Sequence, residues 1–248
     1  MLAATLISVA FGDDSSPSPG VVVEWLRGDD KPTATPAPTL PGVVTNPTTP
    51  TPGGSSTPRT AVTGFDYPVP DGCLPSSDEL MPGALREYRD GVHEGVDFYD
   101  SDNCAILGLD SEILAAKAGT VIRADITYQE LTPARLAEQE ARVEAGNASN
   151  DPELLDEFRG RQLWIDHGNG IVTRYCHLDG IAEGISVGTR VSRGEVVAYM
   201  GESGTPESIT APGTQVHLHF EIRTGDSYLG AGLSPSAVRA LYERAFAP

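Results

Sequence analysis

Near its C-terminal end the chain reads Val216-His217-Leu218-His219-Phe220-Glu221-Ile222. Polar and apolar residues alternate there with a period of two, which is typical of a half-buried β-strand. Side chains two positions apart lie on the same face of a strand. We therefore predict that His217, His219 and Glu221 project together, while the apolar residues between them point into a core. Two imidazoles about 7 Å apart on one strand can reach a single reaction centre.

Another histidine, His93, begins the stretch His93-Glu94-Gly95-Val96-Asp97. The stretch superficially resembles the helical H-E-x-x-H zinc motif, but Asp97 stands where that motif has its second histidine. Its glycine and its β-branched Val96 disfavour a helix, so we predict a loop that runs into a strand at 96–99. His93 and Asp97 can then bind one metal ion, because imidazole and carboxylate are both normal zinc ligands. We expect Glu94 to face solvent and not to act as a catalytic base.

One histidine from the 217–219 pair would complete a His/Asp/His ligand set. Three protein ligands with an open fourth position are typical of a catalytic zinc site, whereas a structural site is closed and usually contains cysteines. The chain has three cysteines, and none of them shows the C-x-x-C spacing of such a site. The sequence therefore predicts a catalytic metal site.

Three further stretches accompany these motifs: Asp166-His167-Gly168-Asn169-Gly170, Tyr175-Cys176-His177-Leu178 and the glycine-punctuated run 187–201. Together the motifs resemble the M23 (LytM/lysostaphin-type) family of zinc metallopeptidases, in the family's order and over roughly residues 61–248. The resemblance implies a mostly β fold, a compact antiparallel β-sheet domain of the duplicated-hybrid-motif type with the site in a groove on the sheet.

The same resemblance assigns roles to five residues. It implies that Zn²⁺ is held by His93, Asp97 and His219, with His177 and His217 as the catalytic pair. The implied activity is endopeptidase cleavage of cross-links or stem peptides in bacterial peptidoglycan, and the implied location is extracytoplasmic. The bond cleaved and the division of labour between the two catalytic histidines stay open.

Other residues near the motifs carry expectations of their own. Tyr175 should share a strand face with His177, and it either lines the cleft or packs in the core. His167 is expected to be a turn or supporting residue. Cys73 and Cys104 bracket the first motif and either form a disulfide, as exported proteins allow, or stay reduced. Cys176 is expected to be a buried free thiol.

Residues 125–160 depart from the pattern of the family, where a short hairpin connection would suffice. They hold nine acidic and three basic side chains, a third of the net charge of −18. Thr132-Pro133 and Asp151-Pro152 each predict a helix N-cap followed by proline, so we predict two helices that end at Gly146 and Gly160. This insertion either restricts which peptides enter the cleft or is a surface addition without function. Ser234-Pro235 predicts a short C-terminal helix.

The first sixty residues differ in kind from the rest. Residues 1–12 are apolar but too short to span a bilayer, which needs about twenty residues. They are a signal remnant, the tail of a truncated membrane anchor, or without function. Residues 13–60 are rich in Pro, Thr, Ser and Gly, which predicts a disordered tether. The peptidase-like domain then spans 61–248.

Two alternatives to an enzyme remain open. A non-catalytic LytM-type regulator or cell-wall-binding module would share the fold but would normally lack some of the five site residues. A lipoyl- or biotinyl-like carrier is suggested by the stretch around Lys117, but it would leave the histidines without a role. The net charge of −18 argues against nucleic-acid binding, which needs basic patches. The sequence carries no signal for an oligomeric state.

Overall fold

The computed structural model describes residues 62–89, 91–146 and 148–247. The predicted N-terminal segment 1–12 and tether 13–60 lie outside these residues. Most of the described elements are short antiparallel β-strands. The strands are β1 (Leu85–Arg86), β2 (Gly91–Val92), β3 (Val96–Phe98), β4 (Glu112–Leu114), β5 (Gly119–Ala124), β6 (Leu163–Asp166), β7 (Ile171–Cys176), β8 (Leu178–Ile181), β9 (Arg190–Val191), β10 (Val196–Met200), β11 (Leu218–Thr224) and β12 (Ser227–Tyr228). The helices are α1 (Pro133–Glu144), α2 (Pro152–Phe158), α3 (Glu207–Thr210) and α4 (Pro235–Ala245).

The largest sheet has seven strands, ordered β12-β11-β7-β6-β5-β9, with β3 pairing to the first half of β11. A three-stranded sheet has the order β4-β10-β8, and β1 and β2 form a separate pair. Every pairing is antiparallel. The expected mostly β, antiparallel fold class is therefore confirmed.

Strand β11 lies at the centre of this arrangement and shows the predicted alternation. Leu218, Phe220 and Ile222 are fully buried in the main hydrophobic core. The expectation of a half-buried strand was wrong, however, because His219 and Glu221 on the opposite face are also buried, at 7% and 0% exposure. Side chains from other parts of the chain cover that face, among them arginines that contact Glu221. The periodicity of a single strand cannot predict such contacts.

The predicted helices are confirmed with their caps. The Thr132 hydroxyl accepts a hydrogen bond from the Arg135 backbone N–H, and the Asp151 carboxylate accepts one from Leu154. Proline follows both caps at the first helical position, where its missing N–H costs nothing. Gly146 and Gly160 follow the two helices with positive φ angles, as helix ends often require.

The C-terminal helix α4 begins after a Ser234 cap and packs on the core. Val238 and Tyr242 on its inner face are fully buried. No helix within the described part of the chain is both long enough and apolar enough to cross a membrane.

A disulfide joins Cys73 to Cys104, with 5.4 Å between their Cα atoms. It closes a loop that contains both His93 and Asp97. Of the two alternatives left open by the sequence, the structure shows the bonded one. Cys176 is a buried free thiol, as expected.

Candidate metal centre

The centre forms where β3 pairs with β11. In this register Asp97 lies directly opposite His219, and His93 approaches from the loop between β2 and β3. His93 Nε2 lies 2.8 Å from Asp97 Oδ1 and 2.9 Å from His219 Nδ1, and that Nδ1 lies 2.8 Å from the same Asp97 oxygen. All three side chains are buried. Three ligand atoms from distant parts of the sequence thus converge on one point.

The outer nitrogens of the two imidazoles fix which atoms face this point. His93 Nδ1 donates to the Met81 carbonyl oxygen at 3.2 Å, since a carbonyl oxygen can only accept. His219 Nε2 donates to the buried Glu221 carboxylate, also at 3.2 Å. When both rings are neutral, as metal binding requires, His93 Nε2 and His219 Nδ1 present lone pairs beside the Asp97 carboxylate. Three acceptor atoms in mutual contact repel one another unless a positive charge lies between them.

A zinc ion fits these donors. Its usual ligands are imidazole nitrogen and carboxylate oxygen at 2.0–2.2 Å, and tetrahedral geometry places such ligands about 3.3 Å apart. The observed separations of 2.8–2.9 Å must widen by roughly half an ångström to reach that value. The outer hydrogen bonds to Met81 and Glu221 are also the kind that orient metal-bound histidines.

The electrostatics of the centre favour a cation. Burial alone would raise the pKa of Asp97, but the charges and hydrogen bonds of His93 and His219 outweigh it and hold that pKa well below its usual value. Burial lowers the pKa of His93 to about 4, so this ring is neutral at pH 7. The second Asp97 oxygen accepts from Arg86 Nη2 at 3.2 Å, which anchors the carboxylate.

His177 and His217 lie beside this ligand set. Their ring centroids are 4.6 Å apart, and the His177 centroid is 5.9 Å from that of His219. His177 Nδ1 donates to the Ser203 carbonyl oxygen at 2.9 Å, and His217 Nδ1 donates to that of Gln215 at 2.6 Å. Each neutral ring therefore keeps its Nε2 as a free lone pair. His217 Nε2 is 3.9 Å from Asp97 Oδ1, so it faces the centre.

Burial lowers the pKa of both histidines, and the charges of His217 and His219 lower that of His177 further. The two rings are therefore bases, not cations, at neutral pH. His217 also stacks on Tyr99, with centroids 4.3 Å apart and an interplanar angle of 12°. This stacking fixes the plane of the His217 ring.

Gly95, between the two ligands of the first motif, passes directly beside His219. A Cβ at this position would lie 2.8 Å from His219 Cε1 and Nε2 and 2.6 Å from the Phe220 carbonyl oxygen. Contacts between unbonded carbons are normally 3.5–4.0 Å. Only glycine therefore fits between the loop and β11 as they stand.

Behind His219 lies a buried cluster of charges. Glu221 contacts three arginines, Arg159 at 2.6 Å, Arg223 at 3.1 Å and Arg174 at 3.4 Å. The expectation that Glu94 faces solvent holds only in part: its side chain keeps 26% exposure, but it accepts from Arg159 Nη2 at 2.6 Å and Arg223 Nη1 at 2.7 Å. These two cations draw the Glu94 carboxylate inward, where it takes part in the same network.

Two residues near the motifs lie away from the centre. Tyr175 is fully buried and packs on Phe220, which excludes the alternative that it lines the cleft. The strand alternation that linked Tyr175 to His177 breaks because His177 has a φ of +61°. His167 contacts the Ala118 carbonyl and Thr173 Oγ1 in its turn, consistent with a supporting role.

The sequence analysis missed three residues that contact the site: Arg86, Tyr99 and Arg159. Tyr99 follows Asp97 by two positions, and the period of a strand would have placed both on one face. Arg86 and Arg159 reach their carboxylates from 11 and 62 positions away, and no local pattern marks such pairs.

Comparison with known proteins adds three findings. The family model described as peptidase family M23 matches residues 91–230, more than half of the chain. Two curated proteins of Vibrio cholerae serotype O1, the peptidoglycan DD-endopeptidases ShyC and ShyA, are 30% identical over 77 residues and 37% identical over 65. These segments cover 31% and 26% of this chain, but they span 16% and 13% of the relatives' own lengths.

Solved structures with weak overall similarity include a zinc-containing peptidase from Vibrio cholerae, which is 21% identical with a TM-score of 0.43. That alignment covers 69% of this chain and 41% of the other. A mutant catalytic domain of the prophage-encoded M23 protein EnpA from Enterococcus faecalis is 16% identical with a TM-score of 0.41. It aligns over 69% of this chain and 95% of its own.

Proposed function

This chain belongs to peptidase family M23, and we propose that it is a zinc-dependent endopeptidase that hydrolyses peptide bonds in bacterial peptidoglycan. The observation that carries the proposal is the convergence of His93 Nε2, Asp97 Oδ1 and His219 Nδ1 within 2.9 Å of one another. Their lone pairs face a common point, while both outer imidazole nitrogens are held by acceptors. This is a donor set for a metal ion with an open coordination position.

A zinc ion bound there would supply Lewis acidity for activating water and polarising a peptide carbonyl. The chain's own residues supply the proton transfers. His177 and His217 each hold a proton on Nδ1 against a backbone carbonyl and keep a basic Nε2. One of them can accept a proton from the attacking water, and the resulting imidazolium can return a proton to the departing amine. The other can accept a hydrogen bond from the attacking water through its Nε2 and so orient it.

The substrate class is supported by the two curated relatives, which are peptidoglycan DD-endopeptidases. The net charge of −18 gives no electrostatic help with anionic wall polymers, so recognition must come from contacts near the cleft. The Cys73–Cys104 disulfide supports an extracytoplasmic location, because such bonds persist in oxidising compartments. A membrane tether through residues 1–12 belongs to the same proposal.

The test is digestion of purified peptidoglycan by the full chain, with and without a zinc chelator, followed by mass spectrometry of the soluble fragments. We expect new peptide termini that vanish with chelator and in the His217→Ala variant. The matched control is His167→Gln, which alters a histidine outside the centre and should leave cleavage intact.

A wild-type chain that binds zinc but cleaves none of several wall types would overturn the enzyme proposal. That result would favour the non-catalytic LytM-type regulator or cell-wall-binding module. Peptide termini that form equally with the chelator present would overturn the role of the metal.

A further inference from the structure

The 125–160 insertion ends directly behind the metal centre. Helix α2 ends at Phe158, and the next side chain, Arg159, turns back into the buried charge cluster. Its Nε donates to Glu221 Oε1 at 2.6 Å and its Nη2 to Glu94 Oε2 at 2.6 Å. Its Nη1 donates to the Leu155 carbonyl oxygen of α2 at 2.9 Å. The guanidinium thus links the insertion helix to the carboxylate that holds His219.

The geometry distinguishes Arg159 from the other two arginines of the cluster. Glu221 accepts the His219 Nε2–H on Oε1, the same oxygen that Arg159 contacts. Arg174 and Arg223 contact only Oε2, at 3.4 and 3.1 Å. Because Glu221 has no exposed surface, its charge is balanced by these arginines and not by bulk water. The orientation of His219 therefore depends on this one cation more than on its neighbours.

The backbone of Arg159 contacts the second half of the site. Its carbonyl oxygen accepts from the His177 N–H at 2.9 Å. His177 has a φ of +61°, a left-handed conformation that a non-glycine residue keeps only when its surroundings hold it. The neighbouring Arg161 N–H donates to Ser203 Oγ at 2.9 Å, and the Ser203 carbonyl holds the His177 ring.

We propose that Arg159 is a positioning residue through which the insertion braces both the metal ligand His219 and the proton-transfer residue His177. The inference rests on the proposed function and adds a role for the insertion. On this view the insertion acts on the centre from behind, through Arg159 near its C-terminal end.

The experiment compares the full chain with its Arg159→Gln and Arg159→Lys variants. The matched control is Arg142→Gln, because Arg142 pairs with Asp151 and Glu157 inside the insertion. Zinc affinity is measured by competition with a chromophoric chelator, and ligand geometry by the absorption spectrum of the cobalt-substituted protein. Cleavage kinetics of soluble peptidoglycan fragments give kcat and KM separately.

We expect Arg159→Gln to weaken zinc binding by about 10- to 100-fold, the usual effect of losing a residue that orients a ligand. Its cobalt spectrum should change, and kcat should fall more than KM rises. Arg159→Lys keeps the positive charge but loses the planar guanidinium that binds Glu221 and Glu94 together. It should therefore fold and show a smaller loss of zinc affinity. The control should match the wild type in zinc affinity and cobalt spectrum.

Wild-type zinc affinity and an unchanged cobalt spectrum in Arg159→Gln would overturn the inference. If that variant does not fold, the same result in Arg159→Lys would overturn it. A wild-type chain that binds no zinc would overturn the proposed function itself, and the inference with it.

Discussion

Replacing Gly95 by alanine should disable the metal centre while leaving most of the fold intact. The new methyl carbon would lie 2.8 Å from two atoms of the His219 ring and 2.6 Å from the Phe220 carbonyl oxygen. Since such contacts are normally at least 3.5 Å, the ring or strand β11 must move by roughly 0.7–0.9 Å. The movement also stretches the 3.2 Å bond from His219 Nε2 to Glu221.

The size of this shift decides the expected effect. Metal–ligand distances hold within about 0.2 Å, so the displacement exceeds the tolerance of the site several-fold. We expect zinc affinity to fall about 100-fold, which corresponds to about 2.7 kcal/mol of binding free energy. The overpacking should lower the free energy of unfolding by about 1–3 kcal/mol. The chain should therefore stay folded but bind zinc poorly.

The assay is chelator competition on the full chain, with circular dichroism and thermal melts of the metal-free protein to check the fold. The control is Gly108→Ala, because a Cβ there would meet nothing within 4 Å. Zinc affinity equal to that of the wild type in a folded Gly95→Ala variant would refute the reasoning. It would mean that the loop shifts without moving His219.

Three further outcomes are expected. The His177→Ala variant should keep its zinc but lose about 10²- to 10⁴-fold in kcat; wild-type turnover would contradict the proton-transfer role. Replacing Cys73 and Cys104 by serine removes a bond of sequence separation 31, so urea titration should show a loss of about 3.7 kcal/mol in unfolding free energy. A loss below about 1 kcal/mol would argue against that closed loop. Zinc at a thousand times its Kd should stabilise the fold by about 4.1 kcal/mol in thermal melts, and His219→Ala should abolish the effect.

Local sequence patterns predicted the features that depend on neighbouring residues alone, namely strand alternation and helix caps. The alternation around His219 predicted strand β11 and both of its faces, because side chains of a strand alternate whatever packs on it. The Thr132 and Asp151 caps predicted where the two insertion helices begin, since a cap acts within one helical turn. The spacing of His93 and Asp97 predicted that the two side chains could meet, and His93 Nε2 lies 2.8 Å from Asp97 Oδ1.

The remaining features depend on contacts between distant residues. Tyr175 was placed with His177 by strand period, but the φ of +61° at His177 turns the chain after β7. Glu94 has the sequence context of an exposed acid, and two arginines from elsewhere in the chain draw it into an ion-pair network that leaves it only partly exposed. Ion pairs of this kind follow from the fold, so they become visible only once the sheet is assembled.

The pairing of β3 with β11 also determines when the proposed metal site can form. Asp97 and His219 are separated by 122 positions, and Asp97 is synthesised first. Until residue 219 has emerged, the growing polypeptide carries an incomplete set of donors. Contacts over such separations also form slowly, because a long loop must close before they gain any stability. The proposed metal site can therefore be complete only after residue 219 has been made and β11 has paired with β3.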